Sequence, residues 1–203
     1  MAGNKDQDTQ HSRHKSNKSK KSKKKNKVKV FRFHDNHGGN IALADHERTA
    51  LSQGGEDDDN DDDRVVVSRD PMKVDKVYEV RVDRRTRRPK GCLPVGVVTS
   101  SPDTLTLPDG VYGWENAVVV YSNVVSHRGK WRDCEVGEAL WSVKTGQRAG
   151  VSIDRRRLLH VHVNGEDQGA ITCAGSIPHP CYPMFHVRGR YRQVTPLPVT
   201  RVK

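Results

Sequence analysis

From Val28 onward, this 203-residue chain contains short valine-rich runs separated by turn residues, a pattern typical of an all-β domain. Val65–Val67 form one such run. In another, apolar and charged residues alternate, as in a strand with one face in the core and one in water: Tyr78, Glu79, Val80, Arg81, Val82 and Asp83. The pattern predicts strands here and places Glu79, Arg81 and Asp83 on the water face.

Two later runs add to the all-β pattern. Ala117–Tyr121 is apolar at every position, which predicts a strand buried on both faces. In the run from Leu158 to Val163, His160 and His162 share one face, so we expect exposed or half-buried imidazoles. That run ends in Asn164-Gly165, a dipeptide that adopts positive φ easily and predicts a tight hairpin turn.

Helix signals are nearly absent, and prolines interrupt the runs at short intervals. Roughly ten short strands require either two packed sheets or a barrel. The pattern of residues alone leaves both open.

The net charge of +11 is concentrated at one end of the chain. Residues 1–28 are rich in lysine and have no apolar stretch, which predicts a disordered tail. Its densest part is polybasic: Lys20, Lys21, Lys23, Lys24 and Lys25. The tail could be a nuclear or nucleic-acid patch, a weak contact for anionic lipid, or a solubilising extension. The rival function is therefore a nucleic-acid-associated protein in which the tail supplies the affinity. A second charged block, at 54–64, is acidic and predicts an exposed loop.

The sequence favours an intracellular protein, located in the cytoplasm with the nucleus as an alternative. The four cysteines are widely spaced and form no C-x-x-C pair, which is typical of reduced thiols. The N-terminus has no apolar run of the kind found in signal peptides, and no later stretch reaches membrane-spanning length.

The segment Phe33-His34-Asp35-Asn36-His37-Gly38-Gly39-Asn40-Ile41 resembles the opening motif of the Neuralized homology repeat. The resemblance continues in family order through the segments 68–72, 78–83, 107–110, 146–151 and 164–169, and we assign the domain to 29–199. It implies an antiparallel β-sandwich of the SPRY or concanavalin-like type, used to bind partner proteins. In Neuralized proteins such repeats recognise substrates and adaptors, including Notch ligands, while a separate RING domain transfers ubiquitin.

Three departures from the family pattern affect partner choice more than fold. Pro89 stands where the family usually has a tryptophan, so the preceding strand should be shortened. The segment after Ala50 is replaced by glycines and the acidic run, and His186 occupies a position that is acidic in the family.

The residues do not favour metal or catalytic chemistry. His34 and His37 with Asp35 lack further ligands close in sequence, so we interpret His37 and Asn40 as binding backbone groups at a turn that Gly38 and Gly39 permit. Cys173 and Cys181 have histidines elsewhere in the sequence but stand in no nucleophile motif. We therefore expect no enzyme activity, no metal and no cofactor.

The resemblance instead predicts partner binding by loops at one end of the sandwich, because loops on a rigid scaffold concentrate binding residues. The expected partner is a peptide segment of a ubiquitin ligase or of its substrate. Trp114 could equally be a core residue. The candidate residues are Asp35, Asn36, His37, Gly38, Asp109, Trp114, Asn164, Glu166 and Gln168.

Overall fold

The structure is a computed structural model that describes residues 1, 29–53, 63–87, 91–107 and 114–202. The predicted tail and nearly all of the predicted acidic loop lie outside these residues. The strands are β1 Ile41–Ala44, β2 Thr49–Ser52, β3 Val65–Val67, β4 Lys76–Arg85, β5 Val95–Val98, β6 Ala117–Val120, β7 Val124–His127, β8 Lys130–Asp133, β9 Arg148–Ile153, β10 Leu159–Val163, β11 Glu166–Ala170, β12 Tyr182–His186, β13 Tyr191–Pro196 and β14 Thr200–Arg201. Two 3₁₀ helices span Glu135–Ser142 and Thr172–Ala174.

The strands form two antiparallel sheets. The larger sheet has eight strands in the order β1-β2-β13-β4-β9-β10-β11, and β14 pairs with the start of β4. The smaller sheet has six strands in the order β3-β12-β5-β6-β7-β8. The predicted all-β sandwich is therefore confirmed, and the barrel alternative is excluded.

The core lies between the two sheets and is filled by the inward-facing valines of both. An aromatic cluster joins the sheets near the start of the domain. The ring of Phe31 lies 6.1 Å from that of Phe185 on β12 and 5.6 Å from that of Tyr78 on β4. Each fully buried side chain of this size contributes about 1.5 to 3 kcal/mol through removal of apolar surface from water.

A second apolar layer covers the outer face of the six-stranded sheet. Val65, Val119 and Met184 point to this face, and the loop between β5 and β6 packs over them with Leu105, Leu107 and Trp114. This layer explains why β6 is buried on both faces, as its uniformly apolar sequence predicted.

Two polar residues are more deeply buried than expected: Glu79, which was placed on the water face, and His162, which was expected to be exposed or half-buried. Glu79 is 5% exposed, and His162 is 2% exposed. Both lie on the outer face of the eight-stranded sheet, around a small depression that is also lined by Arg148, Asp167 and Arg201. The prediction of exposure was wrong because long neighbouring side chains cover this face, which strand alternation alone does not reveal.

The 3₁₀ helix Glu135–Ser142 was not predicted, because its eight residues are too few to give a helical period. It joins the two sheets at one end of the sandwich. Gly137 packs so tightly on the carbonyl groups of Tyr121 and Ser122 that any side chain there would overlap them. At the far end of the helix, Arg85 of β4 donates a hydrogen bond to the carbonyl of Val143 at 3.0 Å.

These contacts define the two ends of the sandwich. The hairpin end holds the β6–β7 turn, where the carbonyl groups of Tyr121 and Ser122 contact Gly137 of the 3₁₀ helix. The Asn164-Gly165 turn lies level with the middle of β4, because Val163 pairs with Ala149 and Ala149 pairs with Val80. The loop end is opposite: Val98 pairs with Ala117 there, and the β5–β6 loop begins and ends at that level. The start of β4 also lies at the loop end.

Candidate functional site

The turn Asp35–Gly38 is tied to the β5–β6 loop by side-chain hydrogen bonds. Asn36 donates from its carboxamide to the carbonyl groups of Pro102 at 2.8 Å and Leu105 at 2.7 Å. Its backbone N–H donates to Nδ1 of His34 at 2.9 Å, so Nε2 of His34 carries the proton and donates to Asp103 at 3.1 Å. His34 and Asn36 therefore hold a loop in place, and of this group Asp35 is the most exposed.

Gly38 and Gly39 are needed for close packing rather than for an unusual backbone angle. Neither has a positive φ, but a side chain on either would overlap Asp63. The N–H of Asn40 donates to the carbonyl of Asp63 at 3.1 Å, and Nδ1 of His37 donates to the carbonyl of Gly38 at 2.9 Å. The predicted backbone contact of His37 is present, whereas the expected reason for the two glycines was wrong.

Trp114 lies in the second apolar layer and is only 6% exposed. The structure thus favours the core alternative for this residue. Asp109, the other candidate in the same loop, lies outside the described residues.

The hairpin turn has the geometry that its sequence predicted. Asn164 and Gly165 have φ of 55° and 82°, as in a two-residue turn with positive φ at both positions. The N–H of Gly165 donates to Glu79 at 3.0 Å, and Nε of Arg148 lies 3.3 Å from the same carboxylate oxygen. Burial raises the pKa of Glu79, and Arg148 and the Gly165 N–H partly oppose that rise. Glu166 is exposed and Gln168 is half-buried on the strand that follows.

The predicted loops do not meet at one end of the sandwich. The Asp35–Gly38 turn is hydrogen-bonded to the β5–β6 loop, which covers the outer face of the six-stranded sheet. The Asn164-Gly165 turn instead contacts Glu79 on the outer face of the eight-stranded sheet. The two groups of candidate residues are therefore separate in the fold, and which of them binds a partner stays a prediction. Strand register fixes these positions, and the register of sequence-distant strands cannot be obtained from the sequence alone.

Two exposed tryptophans that the sequence reasoning missed flank the β6–β7 turn. Trp131 on β8 is 43% exposed, and its ring centroid lies 5.0 Å from that of Tyr121, just before the turn. Trp141 is 46% exposed and lines an open depression of about 440 Å³ with Ser122, Asn123 and Glu138. The sequence does indicate that Trp131 is exposed, because it stands between Lys130 and Arg132 in an otherwise polar strand.

Neither the thiol of Cys181 nor the hydroxyl of Ser152 has the features of a nucleophile. Burial raises the pKa of the Cys181 thiol to about 11, so the thiolate is scarce at neutral pH. Ser152 lies 2.8 Å from Nε2 of His162, but Ser152 is fully buried and burial lowers the pKa of His162. This pair serves as a hydrogen bond between β9 and β10 on the outer face of the sheet.

Within the described part of the chain, no three His, Cys, Asp or Glu side chains converge on a point where a metal ion could bind. The helices in that same part are too short to cross a membrane. All four cysteines have free thiols.

Two packed antiparallel sheets make this chain an all-β sandwich, and solved Neuralized and SPRY domains share its fold. The Neuralized NHR1 domain of Drosophila melanogaster superposes with a TM-score of 0.58 at 15% identity, over 83% of this chain and 98% of that domain. The SPRY domain of human HERC1 superposes with a TM-score of 0.57 at 10% identity, over 84% of this chain and 98% of that domain.

The sequence model of the family described as Neuralized matches residues 33–198. The chain therefore belongs to the Neuralized family, and the resemblance noted from the Phe33–Ile41 motif is confirmed.

Proposed function

We propose that this chain is a non-enzymatic module that binds a short segment of a partner protein, and that it acts as an adaptor or substrate receptor in ubiquitin signalling or membrane-protein traffic. The observation that carries the proposal is the pair of exposed tryptophans, Trp131 and Trp141, on either side of the β6–β7 turn. Tryptophan is enriched among the residues that contribute most to the binding energy of interfaces. A tryptophan side chain that is exposed in the free protein does not give the fold the stabilisation that its burial would provide.

The surroundings of the two side chains support a preformed site. Trp131 rests on Tyr121, which is itself buried in the second apolar layer, so the exposed ring has a rigid support. The carbonyl group of Trp141 accepts a hydrogen bond from Arg190 at 2.6 Å, which holds the helix end in position. A preformed surface loses less side-chain entropy on binding, which favours affinity.

The turn and the hairpin remain proposed secondary contacts. Asp35, Asn36 and His37 lie beside the β5–β6 loop, and Glu166 and Gln168 lie on β11, the edge strand of the other sheet. A single short segment would therefore contact one group rather than both. Gly38 is buried, so it would shape the backbone of the turn and would not contact the partner directly.

The test uses the immobilised full-length chain and identifies bound proteins by mass spectrometry. Paired Trp131→Ala and Trp141→Ala substitutions should remove specific partners, whereas Asp35→Arg or Glu166→Arg alone should retain them. Thermal unfolding of each variant shows that the fold is intact. Retention of every partner by the double tryptophan variant would contradict the proposal.

A tail variant separates the proposal from its electrostatic rival. Lys20, Lys21, Lys23, Lys24 and Lys25 are changed to glutamine in the full chain, which removes charge without shortening it. We expect the partners to be kept. Loss of all partners in this variant, with retention in the tryptophan variant, would favour the nucleic-acid-associated alternative.

A further inference from the structure

A second concave surface lies at the loop end, where the first and last described parts of the domain cross. Val30 bridges to Pro198, and the N–H of Val199 donates to the carbonyl of Lys29 at 2.9 Å. Beside this crossing is a pocket of about 350 Å³. That volume accommodates one large side chain of a bound protein.

The base of the pocket is aromatic. Phe31 and Tyr78 form it, with ring centroids 5.6 Å apart and planes inclined at 61°, and Pro71 and Val199 form its sides. The phenol oxygen of Tyr78 accepts a hydrogen bond from the N–H of Lys73 at 3.0 Å, which fixes the orientation of that ring. The base is thus apolar, rigid and suited to an aliphatic or aromatic side chain.

The rim of the pocket carries an excess of positive charge. Lys29 and Asp70 neutralise each other, with Nζ and Oδ2 separated by 2.8 Å. Lys73 and Lys76 also line the pocket, and across the described ranges neither forms an ion pair. Asp75, which stands between them in sequence, pairs instead with Arg155 at 2.9 Å. The two lysines therefore leave a local charge of about +2 beside an apolar base.

We propose that this pocket binds an acidic segment of a partner protein, with one apolar side chain inserted over Phe31 and Tyr78 and flanking carboxylates on Lys73 and Lys76. The inference rests on the proposed function and adds the chemistry of a partner segment at a surface separate from the tryptophans. The lysines at 15–27 precede Lys29 in the sequence, so the chain carries further positive charge just before a residue that lines this pocket. Complementary charge raises association rates and selects against basic segments.

The acidic run of this chain fits the pocket less well than a segment of a partner protein would. From Glu56 to Asp63 the sequence contains only acidic residues and one asparagine, so it can match the lysines but has no side chain for the aromatic base. A partner segment that combines carboxylates with one apolar residue matches both parts of the pocket.

The experiment measures fluorescence anisotropy of labelled twelve-residue peptides with the full-length protein. One peptide is rich in Asp and Glu around a central phenylalanine, a second has alanine at that centre, and a third has lysines in place of the acids. We expect the first to bind at least tenfold more tightly than the other two. We also expect its affinity to fall as salt increases, because added salt screens charges at the surface.

Protein variants locate the site. The double substitution Lys73→Glu with Lys76→Glu should lower the affinity for the first peptide at least tenfold. The matched control, Lys130→Glu with Lys144→Glu, should change that affinity less than twofold. Val199→Phe fills the pocket without changing charge and should weaken the same peptide. Unfolding curves for each variant show that the domain remains folded. Equal affinity of wild type and the Lys73/Lys76 variant would overturn the inference.

The remaining outcomes separate this inference from the proposed function. If the acidic peptide is lost from the Trp131/Trp141 variant and kept by the Lys73/Lys76 variant, acidic segments bind at the tryptophans, so the inference fails and the proposed function stands. If the protein captures partners but binds none of the three peptides, the inference also fails alone. If no partner and no peptide binds, both fail. Concentration-dependent sedimentation that Lys73→Glu with Lys76→Glu abolishes would identify a second copy as the occupant and contradict the proposal.

Discussion

Asn36 shows how one polar side chain can order a loop that is distant in sequence. Its carboxamide donates to two carbonyl groups of the β5–β6 loop, and these bonds are shielded because the residue is partly buried. We predict that Asn36→Ala lowers the free energy of unfolding by about 1 to 3 kcal/mol, since two acceptors lose their partner. Urea unfolding measures this change. Asn116→Ala, exposed at the same end, is the control, and equal stability of the two variants would show that the loop is held by its apolar contacts alone.

Glu79 gives the domain a defined dependence on pH. Because burial raises its pKa, the folded state holds the proton more tightly than the unfolded state. The stabilisation that Glu79 contributes is fully present at a pH below its pKa in the unfolded chain. It is lost as the pH rises through the higher pKa that Glu79 has in the folded protein. We predict that wild type gains stability relative to Glu79→Gln as the pH falls from 7 toward 4. Urea unfolding of both proteins across this range tests it, and the opposite slope would mean that Arg148 outweighs burial.

At the scale of elements, the β5–β6 loop acts as a cover for the smaller sheet. Trp114 is its largest described anchor, and it packs against residues of several strands. We predict that Trp114→Ala lowers the free energy of unfolding by about 3 to 5 kcal/mol, because it removes a large buried side chain and leaves a cavity. Trp131→Ala removes a half-exposed ring and should cost less than about 1.5 kcal/mol. Chemical denaturation compares the two, and similar losses would show that Trp131 is structural as well.

The strands and turns also show which features of the fold could be predicted from the sequence. Valine alternation and the Asn164-Gly165 turn were sufficient to predict β4, β6 and the β10–β11 hairpin, because these depend on neighbouring residues. The motif Phe33–Ile41 predicted the family. The burial of Glu79 and His162, and the separation of the predicted binding loops, depend on what packs against each sheet and on strand order. Those are contacts between residues far apart in sequence, so the local pattern carried no information about them.

At the scale of the whole molecule, the chain passes repeatedly between the two sheets. β2 belongs to the larger sheet, β3 to the smaller, β4 to the larger and β5 to the smaller, and β12 and β13 are again in different sheets. Neither sheet is a continuous segment, so neither can complete its strand pairing while the other is absent. The aromatic cluster of Phe31, Tyr78 and Phe185 ties the sheets together at the core.

This topology predicts that the two sheets unfold together. The chain has three tryptophans, of which Trp114 and Trp131 pack on the smaller sheet and Trp141 lies in the connecting 3₁₀ helix, so tryptophan fluorescence reports mainly on that side. Far-ultraviolet circular dichroism reports on the strands of both sheets. We expect the two signals to change with one common midpoint in urea, as in a two-state domain. An earlier midpoint for fluorescence would show that the smaller sheet and its covering loop separate from the larger sheet before global unfolding. In that case the tryptophan surface would belong to a less stable unit whose opening could itself change with partner binding.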